Sequence, residues 1–276
     1  MRGALLLLIL LPSPALAHTG EEFAWLSEPW VLVPLLLSGG LYAAGLTRLW
    51  ATAGVAHGIR PVQALCFAVG WLTLAAALLS PLHAAGETSF AAHMAEHELL
   101  MVVAAPLLVV SRPVGAFLWA FPRAQRPGIV ALFRTGPVRA VWRALCNPVV
   151  ATVVHGAVLW AWHLPAAFDA ALESELLHTL QHASFLITAL CFWWAMREQG
   201  GGLAVLCLFA TLVHGTLLGA LLTVAPRTLY AYAGPLEDQQ LAGLIMWVPA
   251  GMVYVGAGLV LCGRWIQRSG RRAGHA

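Results

Sequence analysis

LAVLCLFATLVHGTLLGALLTV, from Leu203 to Val224, runs for 22 residues without a charge. As a helix it would be about 33 Å long, enough to cross the roughly 30 Å hydrocarbon core of a bilayer. Such a helix is apolar on every side, so it belongs inside a large core or a membrane. Working outward, six more stretches of this kind appear, at about 30–50, 62–82, 93–111, 148–166, 178–197 and 240–263. Trp30, Trp50, Trp162 and Trp265 fall near their ends, where aromatic side chains anchor at the water interface. The expected fold is all-α: a polytopic membrane protein with a seven-transmembrane-helix bundle after a signal peptide.

The signal peptide is expected at residues 1–17. Arg2 supplies a positive start, Ala4 to Leu11 a short apolar run, and Ala15-Leu16-Ala17 a small-x-small cleavage site. Cleavage there leaves 18–276 as a single membrane domain beginning at His18.

Composition agrees. Of 276 residues 60% are hydrophobic and 10% charged, against about a quarter charged in soluble domains. An ordinary soluble enzyme, a disordered chain and a nucleic-acid binder are excluded. All fifteen basic residues are Arg. Thirteen of them, including Arg48, Arg60, Arg112, Arg197 and Arg264, fall on one side of the expected spans, and only Arg227 falls on the other. Arg2 goes with the signal peptide. The acidic residues mirror this, with Glu198 alone on the Arg side. The positive-inside rule puts the mature N-terminus outside and the C-terminus in the cytoplasm of a bacterial plasma (inner) membrane protein. The Arg-rich connection between the third and fourth spans, about 35 residues with several Pro and Gly, is expected to lie on anionic lipid.

The polar chemistry left within the spans is mostly imidazole. The five Cys (Cys66, Cys146, Cys191, Cys207, Cys262) have no C-x-x-C spacing and lie toward the Arg side, so they read as reduced, structural thiols. Six of the eleven His (His83, His93, His97, His163, His178 and His182) come together at one depth on the opposite side. His93/His97 and His178/His182 are both H-x-x-x-H pairs, and residues four apart stack on one helix face. Two facing pairs would offer four imidazoles, a common metal-ligand set. Met101 continues the His93/His97 face by a further turn, and a thioether beside imidazoles favours a soft ion such as Cu(I). His163 joins the candidate ligands, with Glu96, Asp169 and Asp238 as carboxylates able to orient imidazoles. His155 and His214 lie deeper and form a secondary candidate pair. His18, with its α-amino group, is a separate candidate for Cu(II).

Three chemistries compete: copper binding, axial haem ligation, and hydrolysis from the His93-x-x-Glu96-His97 match to H-x-x-E-H. A five-residue match in a His-rich chain is weak support for the last, and no enzyme activity is expected.

Three segments together carry a family resemblance. HMAEHELLMVVAAPLLVVSRP (His93 to Pro113), LWAWHLPAAFDAALESELLHTLQHASFLITALCFWW (Leu159 to Trp194) and EDQQLAGLIMWVPAG (Glu237 to Gly251) resemble the CtaG family of polytopic bacterial cytochrome c oxidase assembly factors. The resemblance covers most of the chain after the signal peptide. It implies seven spans and a role in assembling haem-copper oxidase, in particular its CuB centre. The partners it implies are the oxidase catalytic subunit and a periplasmic copper chaperone, besides membrane lipid. The family's His motifs fall on His93, His97, His163, His178 and His182, and its acidic-amide motif on Asp238 and Gln239. Glu98 departs from the pattern, which has an apolar residue or Gln there. A haem-binding or electron-transfer membrane protein, and a metal-free assembly scaffold, remain the alternatives.

Overall fold

A computed structural model describes residues 29–232 and 234–273. The expected signal peptide and His18 lie outside the described residues. Among those described there are helices and no strand. In order they are α1 (Pro29–Ala53), α2 (Pro61–Leu78), α3 (Pro81–Gly86), α4 (Phe90–Glu98), a π-helical turn (Leu99–Ala104), α5 (Ala105–Val110), α6 (Pro113–Trp119), α7 (Arg126–Phe133), α8 (Gly136–Leu145), α9 (Pro148–Trp162), α10 (Pro165–Glu173), α11 (Glu175–Gln199), α12 (Gly201–Val224) and α13 (Leu236–Ala273).

Six segments are each long and apolar enough to cross a membrane: α1, α2, the Phe90–Val110 rod, α11, α12 and α13. Among the described residues the spans number six, or seven if a bent pair of helices counts as one. The stretch at 148–166 forms α9, which has only 15 residues and reaches spanning length only together with α8, from which it is bent by 75°. Asn147 makes the bend, its side chain accepting from the Val149 and Val150 N–H groups ahead of Pro148. The second stretch, expected to 82, stops at Leu78, because Ser80 and Pro81 cap and start the separate helix α3. The Arg-rich connection is largely helical, forming α6, α7 and α8. On α8, Arg139 and Arg143 alternate with exposed Val138, Val141 and Trp142, the pattern of a helix lying in a membrane interface.

The Phe90–Val110 rod is the centre of the bundle. Its most apolar window is 61% buried, against 17% for α1 and for α13. It packs on α2, α3, α11 and α13. Two apolar cores flank it. One is built around Phe185, Phe192 and Leu208, the other around Tyr42, Phe67 and Leu100, and both reach Leu186 and Leu190 on α11. Helices α12 and α13 cross closely, since any Cβ added at Gly243 would run into the Gly219 carbonyl. Small residues permit such approach where lipid offers no hydrophobic drive for association. The hairpin from α11 to α12 turns on Gly200 and Gly201, with φ of 56° and 72°, a conformation that only glycine adopts freely.

The rod is not a uniform α-helix. Pro106 has no N–H for the Val102 carbonyl, and its ring crowds that carbonyl. The chain answers with the wider turn at Leu99–Ala104, and Trp193 Nε1–H donates to the Met101 carbonyl at 2.9 Å. With i→i+5 bonding, residues four apart no longer return to one face. The site inherits this shift.

Candidate metal centre

The rod and α11 are neighbours, so their His pairs meet. The His93 ring centroid lies 5.2 Å from that of His178 and 5.6 Å from that of His182. His97 stands 4.3 Å from His93 and 4.9 Å from His182. His93 and His97 are each 1% exposed. Among the described residues, one set of nitrogens lying within 4.8 Å of one another comes from His93, His178 and His182. A second set shares His182 and adds His83 and Glu96. His97 belongs to neither set, and its ring packs against Phe185 at 4.7 Å.

Hydrogen bonds decide which nitrogen His93 and His163 offer. Tyr232 Oη contacts the Gly86 carbonyl at 2.7 Å and His93 Nδ1 at 3.0 Å. Burial pushes the Tyr232 phenol well above its ordinary pKa, so it remains a neutral O–H. A carbonyl can only accept, so the single phenolic proton goes to Gly86. His93 Nδ1–H must then donate to Tyr232. This leaves the Nε2 lone pair of His93, which has no hydrogen-bond partner in the protein, facing the cluster. His163 is fixed likewise, its Nδ1–H donating to the Leu159 carbonyl at 2.7 Å and its Nε2 unpartnered. Nε2 of His178 and of His182 are also buried without a hydrogen-bond partner. Buried polar atoms normally have partners. Several bare acceptor nitrogens converging inside a membrane bundle are what a cation would satisfy.

Glu96 lies within this group, 0% exposed. Its Oε1 accepts from His83 Nδ1 at 2.8 Å and stands 3.7 Å from His182 Nε2. It thus holds the His83 ring in place. Asp169 and Asp238 do other work. Asp169 accepts from the Ala231 N–H at 2.9 Å, holding the loop that carries Tyr232. Asp238, at the start of α13, accepts from Ser89 Oγ at 2.9 Å and the Phe90 N–H at 2.7 Å. It therefore caps α4, the helix that presents His93 and His97. Gln239 braces the same loop, accepting from the Leu229 N–H at 2.6 Å.

Two expectations are corrected. The π-helical turn carries Met101 off the His93/His97 face and onto the wall of a separate, deeper pocket with His155 and His214. His163 faces Phe168 and Phe185, with centroids at 6.1 and 6.2 Å, and among the described residues belongs to neither three-residue set. Conversely, His83 had no assigned role in the sequence, yet its ring lies 5.4 Å from that of His178. Tyr232 and the fully buried Gln181 were also missed. Gln181 had a readable signal, since it shares a helix face with His178 and His182.

On its lateral side the cluster borders a groove of about 460 Å³. Leu35, Phe67 and Trp71 form one wall and Leu186 and Leu190 the other, with His83, His178 and His182 at one end.

The family model for the cytochrome c oxidase caa3 assembly factor (Caa3_CtaG) matches residues 40–268. The chain belongs to that family. No curated protein and no solved structure matches it significantly. The match runs from within α1 to the Arg-bearing end of α13, and so takes in every described residue of the imidazole cluster and its braces. The five cysteines of this family member are all free.

Proposed function

We propose that this assembly factor binds copper at the imidazole cluster and passes it to the catalytic subunit of the oxidase as the CuB centre forms. The observation that carries the reading is the set of buried, unpartnered Nε2 atoms on His93, His178 and His182. Copper here is cargo. His93, His178 and His182 would hold it, and the His83–Glu96 pair would share His182 and offer a second resting position. Transfer is then ligand exchange between imidazole sets, with no covalent step. The apolar groove beside His178 and His182 offers a route by which a membrane-embedded acceptor reaches the ion from the side.

The Arg layout supports a plasma-membrane orientation with the His end outside and the C-terminus in the cytoplasm. This makes a periplasmic copper chaperone the natural donor. The bent α8–α9 pair then counts together as the seventh span. Haem is less well supported, since rings packed at 4.3–5.6 Å leave no slot for a macrocycle between them. Hydrolysis is less well supported too, because Glu96 is engaged with His83.

The test is metal analysis of the purified full-length protein, beside the CuB content of oxidase made in the same cells. His178→Ala/His182→Ala should lose cluster copper and yield oxidase lacking CuB. Fully loaded oxidase from that variant would favour a metal-free scaffold. A Soret band without copper in the wild type would favour haem handling.

A further inference from the structure

The two triads of the cluster differ in one donor. His93, His178 and His182 offer imidazole nitrogen alone, whereas His83, Glu96 and His182 combine two imidazoles with a carboxylate. The second triad is drawn from three helices, His83 from α3, Glu96 from α4 and His182 from α11, and all three residues are buried. Helix α3 is fixed at its start by Ser80, whose side chain accepts from the Leu82 N–H at 3.1 Å. At its end Gly86 lets it close on α4, since a Cβ there would stand 3.4 Å from the Glu96 carboxylate and from the His93 backbone.

The donors of this triad lie at the separations an ion imposes. His83 Nδ1 is 2.8 Å and His182 Nε2 is 3.7 Å from Glu96 Oε1. One donor atom from each of the three residues falls within 4.8 Å of the others. A tetrahedral ion with bonds of about 2.0–2.1 Å holds its ligands about 3.3 Å apart, between the two measured values. A hydrogen bridges the shorter gap, and an ion takes its place once His83 carries its proton on Nε2.

Charge and softness then sort the ions. Three neutral imidazoles leave a divalent ion with its full charge in a buried site, which is costly. Glu96 removes one unit of that charge. Its hard oxygen suits a divalent ion of borderline character better than Cu(I), which prefers softer donors. Two imidazoles and a carboxylate, with a fourth position open, form a donor set that holds zinc.

We propose that His83, Glu96 and His182 form a divalent-cation site, fitted to Zn(II), that competes with copper for His182. A neutral imidazole has one lone pair to give, so His182 serves one ion at a time. Zinc in the second triad deprives the first of a ligand. The zinc site stands on its own geometry, and only the competition rests on the copper reading of the cluster.

Zn(II) and anaerobic Cu(I) titrations of the full-length protein in detergent, each against a chromophoric chelator, test this. The wild type should take one equivalent of either ion, and zinc-loaded protein should take up Cu(I) only as zinc is released. Glu96→Gln should weaken zinc by more than the roughly 100-fold that a lost orienting partner costs, and Cu(I) far less. His83→Gln, on a short helix at the bundle end, should do the same and serves if Glu96→Gln does not fold. His182→Ala should lose both ions. The proposal is overturned if the wild type takes no zinc, if Glu96→Gln or His83→Gln binds zinc as the wild type does, or if zinc and Cu(I) load together to two equivalents. Zinc uptake that is sensitive to Glu96 in a protein that takes no Cu(I) would uphold the divalent site and sink the copper reading.

Discussion

The two imidazole groups of this bundle are braced to very different degrees. The cluster at the head of α4 and α11 is held from three directions. Tyr232 fixes the His93 tautomer, Glu96 holds His83, and Asp238 caps the helix on which His93 and His97 stand. Those braces come from connecting segments and helix ends, where polar atoms are affordable. The deeper group lies among apolar helix faces and has one evident brace, Thr188. A site near a helix end recruits loops to orient its ligands. A site in mid-bundle has only helix-borne hydroxyls and backbone carbonyls to work with. The cluster should therefore be the more rigid and more mutation-sensitive of the two.

The sharpest way to break the comparison is at His182, which both three-residue sets share. His182→Ala should abolish stoichiometric copper at the cluster, whereas His97→Ala, outside both sets, should weaken it without abolishing it. Equilibrium dialysis of the two variants decides this. Equal losses would mean that the ligand set includes His97. Next in size is Tyr232→Phe. Loss of the phenolic oxygen frees His93 to adopt either tautomer, and copper affinity at the cluster should fall by about 10–100-fold, the range for a lost orienting partner. The unfolding temperature should barely move. A large drop in stability with unchanged affinity would show that Tyr232 only packs.

Asp238→Ala inverts that pattern. Its carboxylate takes up a hydroxyl and a backbone N–H at the start of α4. Removing it should cost about 1–3 kcal/mol of stability, measurable by thermal unfolding in detergent. The copper affinity of the molecules that stay folded should fall only a few-fold. Asp238→Asn, which keeps an acceptor oxygen, should recover much of the stability. If Asp238→Ala instead abolishes binding in fully folded protein, the carboxylate acts on the metal and not through the helix.

Much of this arrangement is legible in the sequence, and the parts that are not have physical reasons. The charge-free runs and one-sided Arg layout announce a membrane bundle, and the i,i+4 spacing announces two imidazole faces. That these faces meet depends on helix order, which periodicity does not encode. His83 is placed at the right depth by the sequence but not among the ligands, because Ser80-Pro81 starts a separate short helix where the sequence reads as one apolar stretch. Tyr232 reaches His93 across 139 positions, a pairing with no local signature. Met101 followed the α-helical period onto the wrong face. Pro106, five residues on, was the available warning that the period would be interrupted.

The smallest expected effect isolates the deeper group. Thr188→Val keeps the shape of the side chain but removes the oxygen that accepts from His155 Nδ1–H. The ring is then free to turn or to exchange tautomers. The His155 ring signals in nitrogen-15 NMR of the histidine-labelled protein should then report a mixture of tautomers in place of the Nδ1–H form, which Thr188 imposes by donating its own proton to the Ser184 carbonyl. Copper binding at the cluster, whose braces are elsewhere, should stay as before. If Thr188→Val leaves the tautomer unchanged, His155 is held by packing against Phe192, whose ring stacks on it at 5.5 Å. The contrast would then be between hydrogen-bonded and aromatic bracing.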